Sequence, residues 1–251
     1  MKTNIGIFDS GIGGVTVLKE CIKLNPNFNY YYYSDSINNP YGDKSQDEVI
    51  KMCEKIVKNF INKSCYIIII ACNTASAMAV SYLREKYKDI HFIAIEPAIK
   101  MVYDTSIDGT LIMATKGTLD SEKFNLLYDK YHHENFYLYS CVGLANLIEK
   151  GNYKEIVEYL NDNISKYKGK VSNVVLGCTH YPLIKSEIRD VLGNVTFYDG
   201  SNGIARRLRN IIEENNFIGR GKNISFIDSS NNLDKEIRFY RVLEEKNEEQ
   251  C

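Results

Sequence analysis

An internal repeat constrains this chain of 251 residues more than any other feature of its sequence. Six short apolar segments that resemble β-strands end at Asp9, Asp35 and Cys72 in the first half and at Thr115, Cys141 and Cys178 in the second. Successive ends are 26 and 37 residues apart in both halves, so one offset of 106 residues maps the first set onto the second. The repeat predicts two similar domains related by an approximate twofold axis.

Apolar segments alternate with helical patterns along the chain, which indicates βαβ units and parallel sheets. Strands are predicted over residues 5–9, 29–35, 66–72, 91–96, 109–115, 135–141, 172–178, 195–198 and 224–228. Helices are predicted over residues 14–24, 45–62, 74–87, 122–132, 153–166, 183–192, 204–215 and 234–244. We therefore predict an α/β fold of two similar parallel-sheet domains with the active site in the cleft between them. The repeat is complete near Ala205, so we expect residues 1–97 with 206–251 to form the first domain and residues 98–205 the second.

Composition excludes several classes of partner. The formal net charge of −1 gives no support to nucleic acid or an anionic membrane surface as a partner. The N-terminus lacks the apolar segment of a signal peptide, and the longest apolar run, Ile67 to Cys72, is far too short to span a membrane. We therefore expect a cytoplasmic protein.

The seven cysteines are odd in number and form no CxxC motif, which argues against a disulfide framework and a zinc ribbon. A free cysteine is usually a small buried apolar residue. Cys72 and Cys178 differ because the repeat places both at the ends of equivalent strands, where open α/β sheets bind ligands. Two domains that face each other would bring these thiols to opposite sides of one bound molecule. Racemisation by one base and one acid requires that arrangement.

Polar residues follow each cysteine at the predicted start of a helix. Thr74 and Thr179 are predicted to cap these helices. The free amide groups of a helix N-terminus bind carboxylates and lower a cysteine pKa from its ordinary value of about 8.5. Asn73 directly follows Cys72, as Thr179 directly follows Cys178. His180, two residues after Cys178, is predicted to accept a proton from that cysteine.

Two loops have both a structural and a functional interpretation. Asp9 begins a glycine-rich segment, DSGIGG, and its carboxylate either orients or deprotonates a thiol or caps a turn. The loop from Ser34 to Ser45 is either a connecting turn or a wall of the cleft, in which case Tyr41 and Gly42 face the substrate.

The segments DSGIGGVTV, PYGDKS, ACNTASA, IEP and LGCTHYPLI resemble the successive motifs of the glutamate racemase family, in that family's order and spacing. The resemblance implies an isomerase that needs neither PLP nor metal, interconverts L- and D-glutamate, and supplies D-glutamate for peptidoglycan. It implies that Cys72 deprotonates the D-enantiomer, that Cys178 deprotonates the L-enantiomer, and that Glu149 assists catalysis. The substrate contacts that it implies are Asp9, Ser10, Tyr41, Gly42, Asn73, Thr74, Thr118, Thr179 and His180. The chain departs from the family's motifs at Ala98 after IEP and in the segment Val142 to Ala145, which lacks the usual proline.

Glutamate is thus the expected partner, with no nucleic acid and no membrane, and a homodimer is the assembly to test. Other interpretations stay open at the level of sequence. A related aspartate racemase or decarboxylase is one, although such a decarboxylase tends to need only one of the two cysteines. A non-catalytic protein that binds metal through Cys72, Cys178 and His180 is another. Inhibition of DNA gyrase is a third, and the near-neutral charge gives it no support.

Overall fold

The protein is described by a computed structural model that covers residues 1–106 and 108–245, so Cys251 and the rest of residues 246–251 lie outside the described residues. The strands are β1 (Lys2–Asp9), β2 (Tyr30–Ser34), β3 (Cys65–Ile70), β4 (His91–Ala94), β5 (Thr110–Ala114), β6 (Phe136–Ser140), β7 (Asn173–Gly177), β8 (Thr196–Tyr198), β9 (Ile218–Gly219) and β10 (Ile224–Asp228). The α-helices are α1 (Val15–Leu24), α2 (Gln46–Asn62), α3 (Asn73–Lys86), α4 (Ile99–Thr105), α5 (Lys116–Leu119), α6 (Glu122–Lys130), α7 (Leu144–Lys150), α8 (Tyr153–Ile164), α9 (Lys185–Leu192), α10 (Ser201–Glu214) and α11 (Leu233–Glu244). Within these ranges, none of the helices combines the length and apolar character that crossing a bilayer requires.

Two parallel sheets form the framework, as the repeat predicts. Among the described residues the first sheet has the strand order β10-β2-β1-β3-β4, with β9 beside β1, and the second has the order β6-β5-β7-β8. The order β2-β1-β3-β4 in the first half therefore matches β6-β5-β7-β8 in the second. The pairing of β1 with β2 and β3 differs by one residue from the pairing of β5 with β6 and β7. The offset of 106 residues therefore relates β2 to β6 and β3 to β7, while β1 and β5 are related by 105.

Helices cover both faces of each sheet, which is why the central strands are apolar on both faces. One face of the first sheet packs against α1, α10 and α11, and the other against α2 and α3. One face of the second sheet packs against α7, α8 and α9, and the other against α4 and α6. The strand β3 shows the consequence, since Ile67 to Ile70 are all fully buried.

The C-terminal segment returns to the first sheet, because β10 pairs in parallel with β2. Phe239 of α11 is fully buried and stacks on Phe226, with 4.2 Å between the ring centroids. Helix α10 crosses the predicted boundary at residue 205 and packs against α1. We propose the division into residues 1–97 with 206–251 and residues 98–205 as the domain organisation.

The elements that the sequence patterns did not indicate are short. Helices α4, α5 and α7 have seven, four and seven residues, and β9 has two. A segment of that length shows too few turns for an apolar period to be recognised. Helix α7 matters most, because it carries Glu149 and ends at Gly151, whose left-handed backbone (φ +71°) suits glycine.

Candidate active site

The two cysteines lie at equivalent points of the two sheets. Cys72 follows β3 and immediately precedes α3, and Cys178 follows β7. Both side chains are nearly buried, with exposed fractions of 6% and 7%. Burial is the main cause of a raised pKa of Cys72, and the charge of Cys178 adds a smaller contribution in the same direction, so the two sulfurs lie near enough to interact.

Hydrogen bonds between the two halves hold the strand ends face to face. The Thr179 hydroxyl donates to both carboxylate oxygens of Asp9, each at 3.2 Å. On the other side, the Thr74 and Thr115 hydroxyls lie 2.9 Å apart. Thr115 directly follows β5, and Asp9 is the last residue of β1, so each half presents the end of its first strand to the other half's cysteine loop.

These contacts correct the predicted helix caps. Cys72 itself is the residue before α3, and Thr74 lies inside the helix with its hydroxyl turned to Thr115 and Thr118. Thr179 bonds to Asp9 and does not cap the 3-10 turn of residues 181–184, which follows His180. The two threonines therefore join the halves of the molecule and do not begin helices.

Cys72 sits in a polar but water-poor environment. Its sulfur lies 3.8 Å from Ser10 Oγ, and the amide of Ala75 in α3 also stabilises its charged form. Burial nevertheless raises the pKa of the Cys72 thiol well above its ordinary value, and the Asp9 carboxylate raises it further. The helix N-terminus acts in the predicted direction, but the prediction of a net lowered pKa for Cys72 is wrong.

Asp9 is fully buried and accepts hydrogen bonds from the Gly14 amide at 3.0 Å and from Thr179. The hydrogen bond from the Gly14 amide fits the interpretation of Asp9 as a turn cap. Asp9 acts on the Cys72 thiol only through its charge. Burial raises the pKa of Asp9, and the charge of His180 and the Gly14 amide oppose this rise.

A row of three side chains lies on the Cys178 side. His180 Nδ1 is 3.8 Å from Cys178 Sγ, and His180 Nε2 is 2.7 Å from Glu149 Oε2. The same Glu149 oxygen accepts a hydrogen bond from the Ile12 amide at 3.0 Å, and Lys235 Nζ lies 3.7 Å from Glu149 Oε1. Cys178 and His180, which share one sequence motif, thus form one connected group with Glu149 from a separate segment.

Electrostatics keep the His180–Glu149 pair charged. Burial by itself raises the pKa of Glu149, but the hydrogen bond and charge of His180, together with the Ile12 amide, lower it to about 2. Burial lowers the pKa of His180, but its contacts with Cys178 and Glu149 outweigh burial and raise that pKa well above 6.5. An imidazolium beside Cys178 is therefore available to stabilise a thiolate there.

The other predicted contact residues also gather at this cleft. Ser10, Asn73 and Thr118 are buried at the strand ends. Asn73 Oδ1 is buried without a hydrogen-bond partner in the described part of the chain, so an acceptor is available for a ligand's N–H group. Gly42 packs against Thr115, where a Cβ atom would come within 3.2 Å of the threonine.

The Tyr41 hydroxyl is engaged within the protein. It donates to Asp35 Oδ2 at 2.5 Å, and the side chain is only 1% exposed. The Tyr41 hydroxyl is therefore not free to bind a ligand, and the side chain packs within the protein.

Two residues near the site had no local signal in the sequence. Lys235 and Arg238 lie on a charged helix about 90 residues after Glu149, and Arg238 contacts the backbone of α7. Metal binding is a separate question. Among residues 1–106 and 108–245, no three His, Cys, Asp or Glu side chains lie close enough together to hold a metal ion. The metal-binding interpretation of Cys72, Cys178 and His180 gains no support from this geometry.

The two halves each contribute one thiol to the site. Each thiol has a different environment: a charged histidine–carboxylate pair beside Cys178, and a helix N-terminus with a buried carboxylate beside Cys72.

Comparisons with known proteins identify similar chains. A model of the family described as Asp/Glu/hydantoin racemase matches residues 25–207 of the chain. A protein named glutamate racemase from Clostridium perfringens (strain SM101) is 42% identical over 236 residues, which cover 92% of this chain and 91% of that protein. The structure of Escherichia coli glutamate racemase in complex with L-glutamate and the activator UDP-MurNAc-ala has a TM-score of 0.84 at 26% identity, covering 97% of this chain and 96% of that one. Francisella tularensis glutamate racemase in complex with D-glutamate has a TM-score of 0.82 at 28% identity, covering 98% and 96%.

Proposed function

We propose, from the premise that the chain belongs to the family of Asp/Glu/hydantoin racemases, that it interconverts L- and D-glutamate without a cofactor by means of Cys72 and Cys178. The observation that supports this most directly is the placement of two thiols at equivalent strand ends of one cleft. Relatives named glutamate racemase, two of them in complex with an enantiomer of glutamate, support the choice of substrate.

In the direction from L- to D-glutamate, Cys178 takes the α-proton as a thiolate, with the His180 imidazolium as its counter-ion. The electron pair left on the α-carbon is delocalised into the substrate's carboxylate, and the Cys72 thiol then delivers a proton to the opposite face. A raised Cys72 pKa suits this second step, because it keeps that thiol protonated. The reverse reaction uses the same groups with the roles of the two sulfurs exchanged.

The remaining site residues bind and orient the substrate. Amide groups at the start of α3 are suited to carboxylate oxygens, as are those of the loop 10–14 other than Ile12 and Gly14, which bond to Glu149 and Asp9. Asn73 Oδ1 is an acceptor for the substrate ammonium group, and Ser10, Thr74, Thr118 and Thr179 supply hydroxyls. Asp9, which is buried beside Thr179, would add negative charge near that ammonium group.

The biological role follows from the product. We propose that the D-glutamate is used in peptidoglycan synthesis, that the reaction occurs in the cytoplasm, and that the assembly to test is a homodimer. The sequence departures at Ala98 and at Val142 to Ala145 lie away from the two cysteines along the chain and leave the proposed reaction unchanged.

The experiment is to incubate the purified protein with L-glutamate in the presence of EDTA and to follow optical rotation or chiral chromatography. We expect conversion to the racemic mixture, with no absorbance band of PLP and no conversion of aspartate at a comparable rate. Conversion of aspartate but not glutamate would contradict the substrate, and activity that vanishes on chelation and returns with metal would contradict the mechanism.

We also predict that Gly11→Ala strongly impairs racemisation. A Cβ atom at Gly11 would overlap Glu149 Oε2 and lie 2.9 Å from Asn39 Nδ2, so Glu149 must move away from the Ile12 amide and His180. A misplacement of this size costs on the order of 10²-fold in rate. Steady-state kinetics would measure it, with Gly203→Ala as the control, since its Cβ meets nothing within 4 Å. Equal activity of the two variants would show that the position of Glu149 is unimportant.

A further inference from the structure

The C-terminal helix α11 holds the helix that carries Glu149. Arg238 Nη1 donates to the carbonyl of Glu149 at 2.5 Å, and Arg238 Nη2 donates to the carbonyl of Ile148 at 2.7 Å. The last carbonyl groups of a helix lack partners within the helix, and a cation near them is favourable. Helix α7 has only seven residues, and Arg238 adds contacts from another helix to the hydrogen bond that the Gly151 amide donates to the Ile148 carbonyl.

Lys235 contacts the same carboxyl group from the same face of α11. It precedes Arg238 by three residues, a spacing that places the two side chains on one side of a helix. Its Nζ atom lies 3.7 Å from Glu149 Oε1, while Glu149 Oε2 faces the Ile12 amide and His180. The two basic residues therefore fix both the backbone and the carboxylate of Glu149.

A buried aromatic cluster fixes α11 to the loop that receives Glu149. Phe239 lies next to Arg238, is fully buried and stacks on Phe226. Its ring centroid is 5.0 Å from that of Tyr32, whose hydroxyl donates to the Gly11 carbonyl at 2.8 Å. A movement of α11 would therefore displace both Gly11 and Glu149.

We propose that Arg238, assisted by Lys235, is a positioning residue that holds Glu149 against His180 and so serves the Cys178 side of the cleft but not the Cys72 side. The proposal rests on the proposed racemisation and adds that the C-terminal helix supports one of its two proton transfers. The charged and titratable groups that act on Glu149 are His180 and Lys235, with Asp9 and Tyr32 nearby. Those that act on His180 are Cys178, Glu149 and Asp9.

The test needs a reaction that reports one proton transfer at a time. Racemisation does not, because an equilibrium constant of one forces kcat/KM to be equal in both directions. Elimination from L- or D-3-chloroglutamate does. The cysteine thiolate takes the α-proton, the C–H electron pair forms the Cα=Cβ bond, and chloride leaves the β-carbon. The enamine then tautomerises to an imine, which water hydrolyses to 2-oxoglutarate and ammonium.

We expect Arg238→Gln to lower kcat/KM for elimination from the L-enantiomer by about 10-fold or more, by analogy with the 10- to 100-fold effects of residues that orient the ligands of a metal. Elimination from the D-enantiomer, which requires only Cys72 as the base, should stay within about twofold. Arg241→Gln removes the same charge from an exposed position of α11 and should change neither rate. An equal loss for both enantiomers would indicate a purely structural role and overturn the proposal.

A double-mutant cycle tests whether Arg238 acts through Glu149. In a Glu149→Gln background, adding Arg238→Gln should leave the ratio of L- to D-elimination unchanged. Additive losses in that background would show that Arg238 acts elsewhere and would contradict the proposal. Arg238→Lys keeps the charge but loses one of the two hydrogen bonds, so it should restore part of the L-directed rate.

A second readout does not depend on activity. The chain has only four histidines, so NMR titration can follow the His180 ring directly. Because Glu149 raises the His180 pKa, loosening Glu149 by Arg238→Gln should shift the His180 midpoint downward, and Arg241→Gln should not. An unchanged midpoint would overturn the positioning role. If Arg238→Gln lowers the His180 midpoint but the wild-type protein neither racemises nor eliminates, only the proposed function is contradicted.

Discussion

Cys72→Ser and Cys178→Ser are each expected to lower the turnover of racemisation by a factor on the order of 10²–10⁴, the usual contribution of one acid–base group. A serine hydroxyl is far too weak an acid to be a comparable base near neutral pH. The cleft itself should survive, because the hydrogen bonds that join its halves involve Asp9, Thr74, Thr115 and Thr179 and not the sulfurs.

The two variants should differ in their half-reactions. Cys178→Ser keeps the Cys72 thiol and should retain elimination from D-3-chloroglutamate, and Cys72→Ser should retain elimination from the L-enantiomer. Cys141→Ser is a matched control, since Cys141 is also buried at a strand end but follows β6. If both active-site variants prefer the same enantiomer, or if either racemises at nearly the wild-type rate, the assignment of two opposed thiols is wrong.

Glu149→Gln is expected to lower elimination from the L-enantiomer by on the order of 10²-fold while sparing the D-enantiomer. The glutamine amide fills the same space but carries no charge, so the charge-assisted hydrogen bond to His180 becomes an ordinary one. The His180 pKa then falls, so the imidazolium that stabilises a Cys178 thiolate is less favoured. Steady-state elimination kinetics with each enantiomer measure this, and an equal loss for both would contradict the separation of the two sides.

The same substitution should change stability in a pH-dependent way. Glu149 has a folded pKa of about 2 against an ordinary 4.5, so its contribution is complete above pH 4.5 and is lost as the pH falls towards 2. His180 has a folded pKa raised above 6.5, so its contribution is complete below pH 6.5 and is lost as the pH rises through the raised value. The difference in Tm between the wild type and Glu149→Gln should therefore be greatest between about pH 4.5 and 6.5. A difference that is constant across pH would show that the pair is not charged.

The sequence predicted the two sheets because a strand buried on both faces gives a continuous apolar run that stops abruptly at a polar residue or cysteine. Asp9, Cys72 and Cys178 mark such ends, and the repeat related them. The pairing of β10 with β2 follows less directly, and the return of the C-terminal segment was inferred only because the repeat was already complete.

The contacts across the cleft could not be read in the same way. Thr74 and Thr179 have the residue type of helix caps, but tertiary packing turns their hydroxyls to the other half of the molecule. The raised pKa of Cys72 depends on burial, which local sequence does not reveal. The contact of Arg238 with Glu149 joins residues far apart in the chain on a helix whose sequence indicates only an exposed, charged surface.

Initial-rate racemisation of L-glutamate in D₂O tests the two-thiol mechanism most directly. With opposed thiols, the proton taken by Cys178 stays on that side, and Cys72 delivers deuterium from solvent to the other face. We predict that the first D-glutamate formed carries deuterium at the α-carbon, while the remaining L-glutamate keeps protium. Product that retains the original proton, or deuterium that enters both enantiomers equally from the start, would contradict the mechanism.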